Sequence, residues 1–268
     1  MPSLRTLSAS TVARVRSGVV TALSCAATDL DPRLREDLPS GKYAVTLAGP
    51  GGIRHRLSFV GGRAMEKAFG PGDAVLLFVG ADTMARALGG GKGTVLPLPA
   101  GIRFPRAVKA FLAVSKRVGE LTSQKTFADE AEKRTVTEML MTAALRGVAE
   151  TAMADSWTAA KSAAMNDGVV EVAVEGGGPA GWIRRRGDTW VSGRGESEGR
   201  ANARLTFADL DTAYGLFTGA VAALGALGRG TVSIRGRVPM IQVLFSLMDR
   251  FGEIMAWGSG DSVREAAE

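Results

Sequence analysis

Two stretches decide the reading of this chain: AVLLFVGADTMARALGGGKGTVLPLPAGIRFPRAVKAFLAVSKRVGE at residues 74–120, and ARLTFADLDTAYGLFTGAVAALGALGRGTVSIRGRVPMIQVLFSLMDRFGE at residues 203–253. Each opens on an alternating strand that ends in Phe78 or Phe207. Asp82-Thr83 and Asp211-Thr212 follow at the same offset and open a short helix. A glycine-rich turn comes next, then Gly-Thr-Val at 93–95 and 230–232, then an apolar-periodic helix. The helices end in Arg-Val-Gly-Glu at 117–120 and Arg-Phe-Gly-Glu at 250–253. A recurrence of about 130 residues is too long for a solenoid and reads as two copies of one domain.

Outward from these stretches the same order repeats. In the first copy, residues 9–27 form an amphipathic helix with Ser10 placed to cap it. Pro32, Pro39 and Gly41 mark a loop. Lys42–Ala48 and Ile53–Val60 alternate on either side of Gly49-Pro50-Gly51-Gly52, a hairpin signature. Ala64–Phe69, Asp73–Val79 and Gly93–Leu98 supply three more strands, the last weakened by Pro97 and Pro99, and Arg106–Leu121 is the closing helix. In the second copy a helical stretch runs from about Asp129 towards Met165 with a break near Asp155-Ser156. Strands follow at Val169–Val174, Gly181–Arg186, Thr189–Ser192 and Ala201–Phe207, then helices at Asp209–Phe217 and Ala220–Leu227, strand Thr231–Arg235 and helix Pro239–Ala256. The expectation is an α+β tandem pair of similar domains, 1–124 and 125–268, joined near Thr122–Thr126. Each is a mainly antiparallel curved sheet of about five strands covered by helices.

Composition bounds the chemistry. The chain of 268 residues is 46% apolar but only 6% aromatic, so its cores must be built from Ala, Val, Leu and Met. Cys25 has no partner for an internal disulfide and reads as a buried small hydrophobe in a reducing compartment. The longest apolar stretch, Leu216–Leu227, falls short of the roughly 20 residues that span a bilayer, and the expected location is cytoplasmic. Residues 1–124 carry 17 Lys and Arg against 8 Asp and Glu, whereas the remainder carries 16 against 19. The basic first half could touch an anionic membrane surface transiently, although scattered arginines favour ordinary solvated surface. Nucleic acid is not expected: Arg184-Arg185-Arg186 is the only basic run, and it lies on a strand without an aromatic platform.

Catalytic groups are scarce. His55, flanked by arginines on a strand, reads as half-exposed surface, and without it no Ser-His or Cys-His dyad assembles. One His and one Cys make no soft-metal site. The run Gly89-Gly90-Gly91-Lys92-Gly93-Thr94 is not a phosphate loop, because Gly separates Lys from Thr and a strand follows where a helix is needed. No enzyme activity, metal or cofactor is expected.

The second stretch resembles the sterol carrier protein family, small sterol-binding and lipid-transfer domains. The likeness runs from Ala203 to about Phe251: the strand ARLTF, Asp209-Leu210, Gly219, Gly228-Arg-Gly230, the strand Val232-Ser-Ile234-Arg-Gly236 and the helix with Met240, Val243, Leu244 and Leu247. The first half is similar as a diverged copy, with Pro97-Leu98-Pro99-Ala100-Gly101 in place of the alternating strand. The resemblance implies an apolar tunnel for a sterol, fatty acyl chain or other lipid. It would be lined by Phe207, Leu210, Tyr214, Phe217, Leu224, Ile234, Met240, Leu244 and Met248, with the better-formed site in the second half. The implied function is non-catalytic binding or intracellular transfer of a hydrophobic ligand. The alternative is a scaffold module of the same fold that docks a partner enzyme or membrane-linked pathway without a ligand.

Overall fold

The computed structural model describes residues 7–67, 72–163 and 165–258, without the side chains of Ala223 and Leu224. It is an α+β tandem pair of similar domains, each with one five-stranded sheet. Contacts divide the chain into two compact units, Met1–Arg117 with Asp249–Glu268, and Val118–Met248.

The first unit begins with α1 (Ala9–Leu30). Its cap is Ser8, whose side chain accepts from the Thr11 N–H at 3.0 Å; Ser10, expected in that role, lies inside the helix. Val12, Val15 and Val19 are buried along it, and the buried hydroxyls of Thr21 and Ser24 donate to carbonyls four residues back. The expected loop after it contains α2 (Pro32–Asp37). Asp31 accepts from the N–H groups of Arg33 and Leu34, and Pro32 occupies the first helical position, where a missing N–H costs nothing. The proline therefore starts a helix there.

Strands β1 (Lys42–Ala48), β2 (Arg54–Val60), β3 (Arg63–Glu66), β4 (Ala74–Phe78) and β5 (Val95–Pro99) form a sheet in the order β3-β2-β1-β4-β5. Of the third expected strand, Phe69 lies outside the described residues. β1 and β4 pair in parallel and the other neighbours antiparallel. Pro97 and Pro99 are tolerated because β5 is an edge strand, where an N–H facing solvent is not needed. α1 packs on α3 (Ala81–Leu88), β2 and β3. The chain then enters α4 (Phe104–Ser123). His55 is more enclosed than expected, with its side chain 13% exposed and Nδ1 3.3 Å from Glu66 Oε1. Cys25 is half-buried, not buried.

The second unit repeats this plan. α5 (Glu130–Ala154) and α6 (Ser156–Ala163) break at Asp155, whose carboxylate accepts from the Thr158 N–H. β6 (Gly168–Val174), β7 (Ala180–Arg186), β8 (Thr189–Arg194), β9 (Ala203–Phe207) and β10 (Val232–Gly236) are ordered β8-β7-β6-β9-β10, with β6 and β9 parallel. α5 lies on β7, β8 and α7 (Leu210–Phe217), as α1 lies on β2, β3 and α3. α8 (Ala223–Gly228) precedes β10, and α9 (Val238–Ala256) closes the series. An aromatic ring does adjoin the basic run: the Arg184 guanidinium lies 4.9 Å from the centroid of Trp182. Among the described residues no helix is long and apolar enough to cross a membrane.

Candidate functional site

The site is built around Asn202, which ends the loop before β9. Its Oδ1 accepts from the Val169 N–H at 2.8 Å. Its own N–H donates to the Val169 carbonyl, and its carbonyl accepts from the Arg237 N–H, both at 2.9 Å. These bonds tie the start of β6, the start of β9 and the end of β10 together. Two glycines make the close approach possible. Gly236 has φ +84°, Gly168 has φ +155°, and a Cβ on either would collide with Asn202.

Beside this knot the sheet register assembles a row of cations. Arg204 on β9 stands directly opposite Arg235 on β10, and Glu171 on β6 stands beside Arg204. Like charges directly opposite cost an antiparallel pair roughly 0.2–1 kcal/mol, so the row is held against local stability. The Glu171 charge is already engaged: Oε1 accepts from the Ser197 N–H at 3.0 Å and the Ser197 hydroxyl at 2.6 Å, and Oε2 lies 3.9 Å from Arg204 Nε. Arg200, Arg235 and Arg237 are exposed, and none of their guanidinium groups has an ion pair among the described residues. The four arginines border a cleft of about 830 Å³, which Glu171 and Glu196 also line.

A second cleft, of about 650 Å³, shares Gly236 and Arg237 with the first. Its apolar wall is Met165, Val238, Pro239, Met240 and Val243, and Lys161 stands at its margin. Met165 and Met240 are 4% and 2% exposed, so the cleft floor is two packed thioethers. Pro239 sits in the first turn of α9, where no intrahelical N–H is required. The Lys161 ammonium lies 4.0 Å from the Trp157 ring centroid. The apolar and cationic clefts therefore adjoin through the end of β10.

Of the nine side chains expected to line a tunnel, Met240 lines this cleft. Phe207 is 0% exposed, in edge-to-face contact with Phe217 at 5.7 Å, and Leu244 is 1% exposed. Tyr214 stacks edge-on against Phe127, and its hydroxyl donates to the Gln124 carbonyl at 2.8 Å. Leu210, Ile234 and Met248 are half-buried, and the Leu224 side chain lies outside the described residues. Met165, Val243 and the arginines were not singled out as lining residues by sequence reasoning. Arg235 and Arg237, alternating at the end of β10, are the one local signal that could have pointed to them.

The first unit repeats the knot with other chemistry. Asp73 stands where Asn202 does: Oδ2 accepts from the Ala44 N–H at 2.9 Å, its N–H donates to the Ala44 carbonyl at 2.8 Å, and its carbonyl accepts from the Ala100 N–H at 3.0 Å. The row matching Trp182, Glu171, Arg204 and Arg235 is Arg56, Thr46, Val75 and Leu98. The cleft at this end is smaller, about 460 Å³, with Lys42, Lys67 and Arg103 around it.

No family model matches the chain. No curated protein matches it either. Solved structures match segments of it. A conserved hypothetical protein of Thermus thermophilus, described as a candidate sterol carrier protein, is 22% identical over 37% of this chain and 78% of its own, with a TM-score of 0.30. Sterol carrier protein 2 like 2 from Aedes aegypti is 15% identical over 37% of this chain and 95% of its own, with a TM-score of 0.24. The inverting sec-alkylsulfatase Pisa1 from Pseudomonas sp. is 10% identical over 49% of this chain and 26% of its own, with a TM-score of 0.30. At these identities and TM-scores none of the three carries its activity to this chain.

Proposed function

We propose that the second unit binds a hydrophobic small molecule of the lipid class without chemically altering it. The observation that carries this reading is the 650 Å³ cleft floored by Met165 and Met240 at the start of α9. Its volume falls within the roughly 300–1,000 Å³ typical of small-molecule sites. Methionine adapts its shape to variable apolar ligands. Burial of apolar area at roughly 25 cal/mol per Å² would drive uptake, and no acid, base or nucleophile is needed. The resemblance of residues 203–251 to sterol carrier domains supports the same reading.

Native mass spectrometry of the protein from its host should detect a bound lipid mass. Val243 is half-buried at the cleft wall, so Val243→Trp adds bulk into open space. We expect it to weaken uptake of a fluorescent fatty acid at least tenfold. Leu112→Trp, at an exposed position of α4, should leave uptake unchanged. Equal uptake by folded Val243→Trp would remove this cleft from the function.

The scaffold reading is favoured by a different observation. Leu96 and Leu98 on edge strand β5 are each 42% exposed, and Ile102 beyond it is 95% exposed. If the wild type takes up no lipid, that surface becomes the leading candidate for function.

A further inference from the structure

We infer that the arginine cleft beside β10 receives the phosphate headgroup of the same ligand, so that the chain selects phosphate-bearing amphiphiles over neutral ones. The inference rests on the lipid-binding reading above and adds the headgroup.

Four observations converge on it. The first is adjacency: the cationic cleft and the apolar cleft share Gly236 and Arg237, so one molecule can place an acyl chain on Met165 and Met240 and its polar end among the arginines. The second is the Arg204–Arg235 pairing across β9 and β10, a like-charge arrangement that an anion would relieve. The third is what remains unpaired. Glu171 is occupied by Ser197 and Arg204, which leaves the guanidiniums of Arg200, Arg235 and Arg237 without ion pairs among the described residues. The fourth is rigidity. The Asn202 knot and the two glycines fix the backbone that carries Arg235 and Arg237, so part of the ordering cost of binding is met before the ligand arrives.

Four arginines against Glu171 and Glu196 leave the charged lining of the cleft at a net +2, and this count favours phosphate. A carboxylate brings one negative charge and two oxygens. A phosphate monoester brings about −1.5 to −2 near neutral pH and three acceptor oxygens, which suits three unpaired guanidiniums with forked donors. The cleft of about 830 Å³ also has room for a headgroup larger than a carboxylate. The first unit lacks the paired row, with Val75 and Leu98 in the matching places, so the inference applies to the second unit alone.

The test is titration calorimetry of the full chain with dodecyl phosphate, dodecanoate and dodecanol, each below its micellar concentration, and with inorganic phosphate alone. We expect dodecyl phosphate to bind at least tenfold more tightly than dodecanol, with dodecanoate between them. In Arg200→Gln/Arg235→Gln, which line the cationic cleft and not the apolar one, dodecyl phosphate should fall to the affinity of dodecanol, and dodecanol itself should be unchanged. Both residues are exposed, and a thermal melt establishes that the variant folds. Should it not fold, the wild type at rising salt decides: affinity for dodecyl phosphate must drop while that for dodecanol does not. Millimolar inorganic phosphate should compete with dodecyl phosphate and leave dodecanol untouched. Equal affinity for all three amphiphiles, or full dodecyl phosphate binding by the double variant, overturns the headgroup assignment and leaves the lipid reading standing. Inorganic phosphate that binds as tightly as dodecyl phosphate overturns the link between the clefts. Binding of none of the amphiphiles overturns the lipid reading itself.

Discussion

The two sheets share one strand order and one hydrogen-bonded knot, yet the row beside the knot is Arg56–Thr46–Val75–Leu98 in the first unit and Trp182–Glu171–Arg204–Arg235 in the second. The backbone bonds of Asp73 and Asn202 are the same in both, so the architecture requires only a side-chain acceptor at that position. Everything beyond that acceptor is free to differ. On its last two strands the first copy places Val75 and Leu98 on an apolar, proline-bearing edge, where the second places the facing Arg204 and Arg235. The knot holds the sheet end in both copies, and on the headgroup proposal the row beside it sets what the second can bind.

The largest contrast concerns how the closing helices finish. Arg16, only 3% exposed, donates to the Ala85 carbonyl at 2.6 Å and to those of Ile254, Met255 and Trp257 at 3.2, 2.8 and 2.7 Å. Burial lowers its pKa from the ordinary guanidinium value, but the carbonyl ends of α3 and α9 surround the charge. After α4, the Gln124 carbonyl receives one hydroxyl, that of Tyr214. Arg16→Met leaves buried carbonyls unpaired and should cost about 3 kcal/mol in urea unfolding, whereas Tyr214→Phe should cost about 1 kcal/mol. Similar shifts in both variants would break the contrast.

The next concerns the knot. Gly236 combines a positive φ with close approach to Asn202, while Pro99 stands at the matching place in the first unit. Gly236→Ala should cost about 2 kcal/mol, since strain and collision add. Gly219, with φ +76° but open space around it, should cost about 1 kcal/mol when changed to Ala. Pro99→Ala should stay within about 0.5 kcal/mol. Thermal melts of the three variants rank them, and a Gly236→Ala as mild as Gly219→Ala would show that the approach is not tight.

How much of this was legible follows from what sequence encodes locally. Alternation and glycine punctuation reveal strands, so the repeat and the order of elements could be read. The parallel pairing of β1 with β4 and of β6 with β9 leaves no periodic trace, because it joins segments that are not consecutive. Ser8 and Ser10 are both suitable caps, and only backbone geometry separates them. Pro32 can break a helix or begin one, and Asp31 before it tips the balance. The arginines of the cleft span positions 200 to 237 and become a cluster only through the β9–β10 register. The apolar stripe of α9 was visible, but a stripe does not distinguish a packed face from a lined cavity. Met240 and Leu244, one turn apart on that stripe, are 2% and 1% exposed, yet Met240 borders the cleft and Leu244 does not.

The smallest contrast is at the short helices. α7 is capped by Asp209, which accepts from the Thr212 N–H at 2.7 Å, whereas Gly80 before α3 has no side-chain cap. Hydrogen bonds from Thr212 hold the Asp209 carboxyl below its ordinary pKa. Its contribution is therefore complete above the unfolded-state pKa near 4 and is lost as pH falls through the lower, folded value. Asp209 is exposed, so solvent screening keeps the effect of Asp209→Ala under about 1 kcal/mol at neutral pH, shrinking on acidification. A difference between variant and wild type that grows as pH falls would contradict this.

The Arg16 contacts also set a timetable for synthesis. Three of the carbonyls that receive this side chain lie 238 to 241 residues further along. At about 5–20 residues per second, a ribosome needs roughly 12–50 s to reach them after making Arg16. Through that interval α1 can form and the first sheet can pair, but the guanidinium has only the end of α3 for company. The first unit made is thus the last one finished: until the chain reaches Ile254, the Arg16 guanidinium has only the Ala85 carbonyl of its four carbonyl partners.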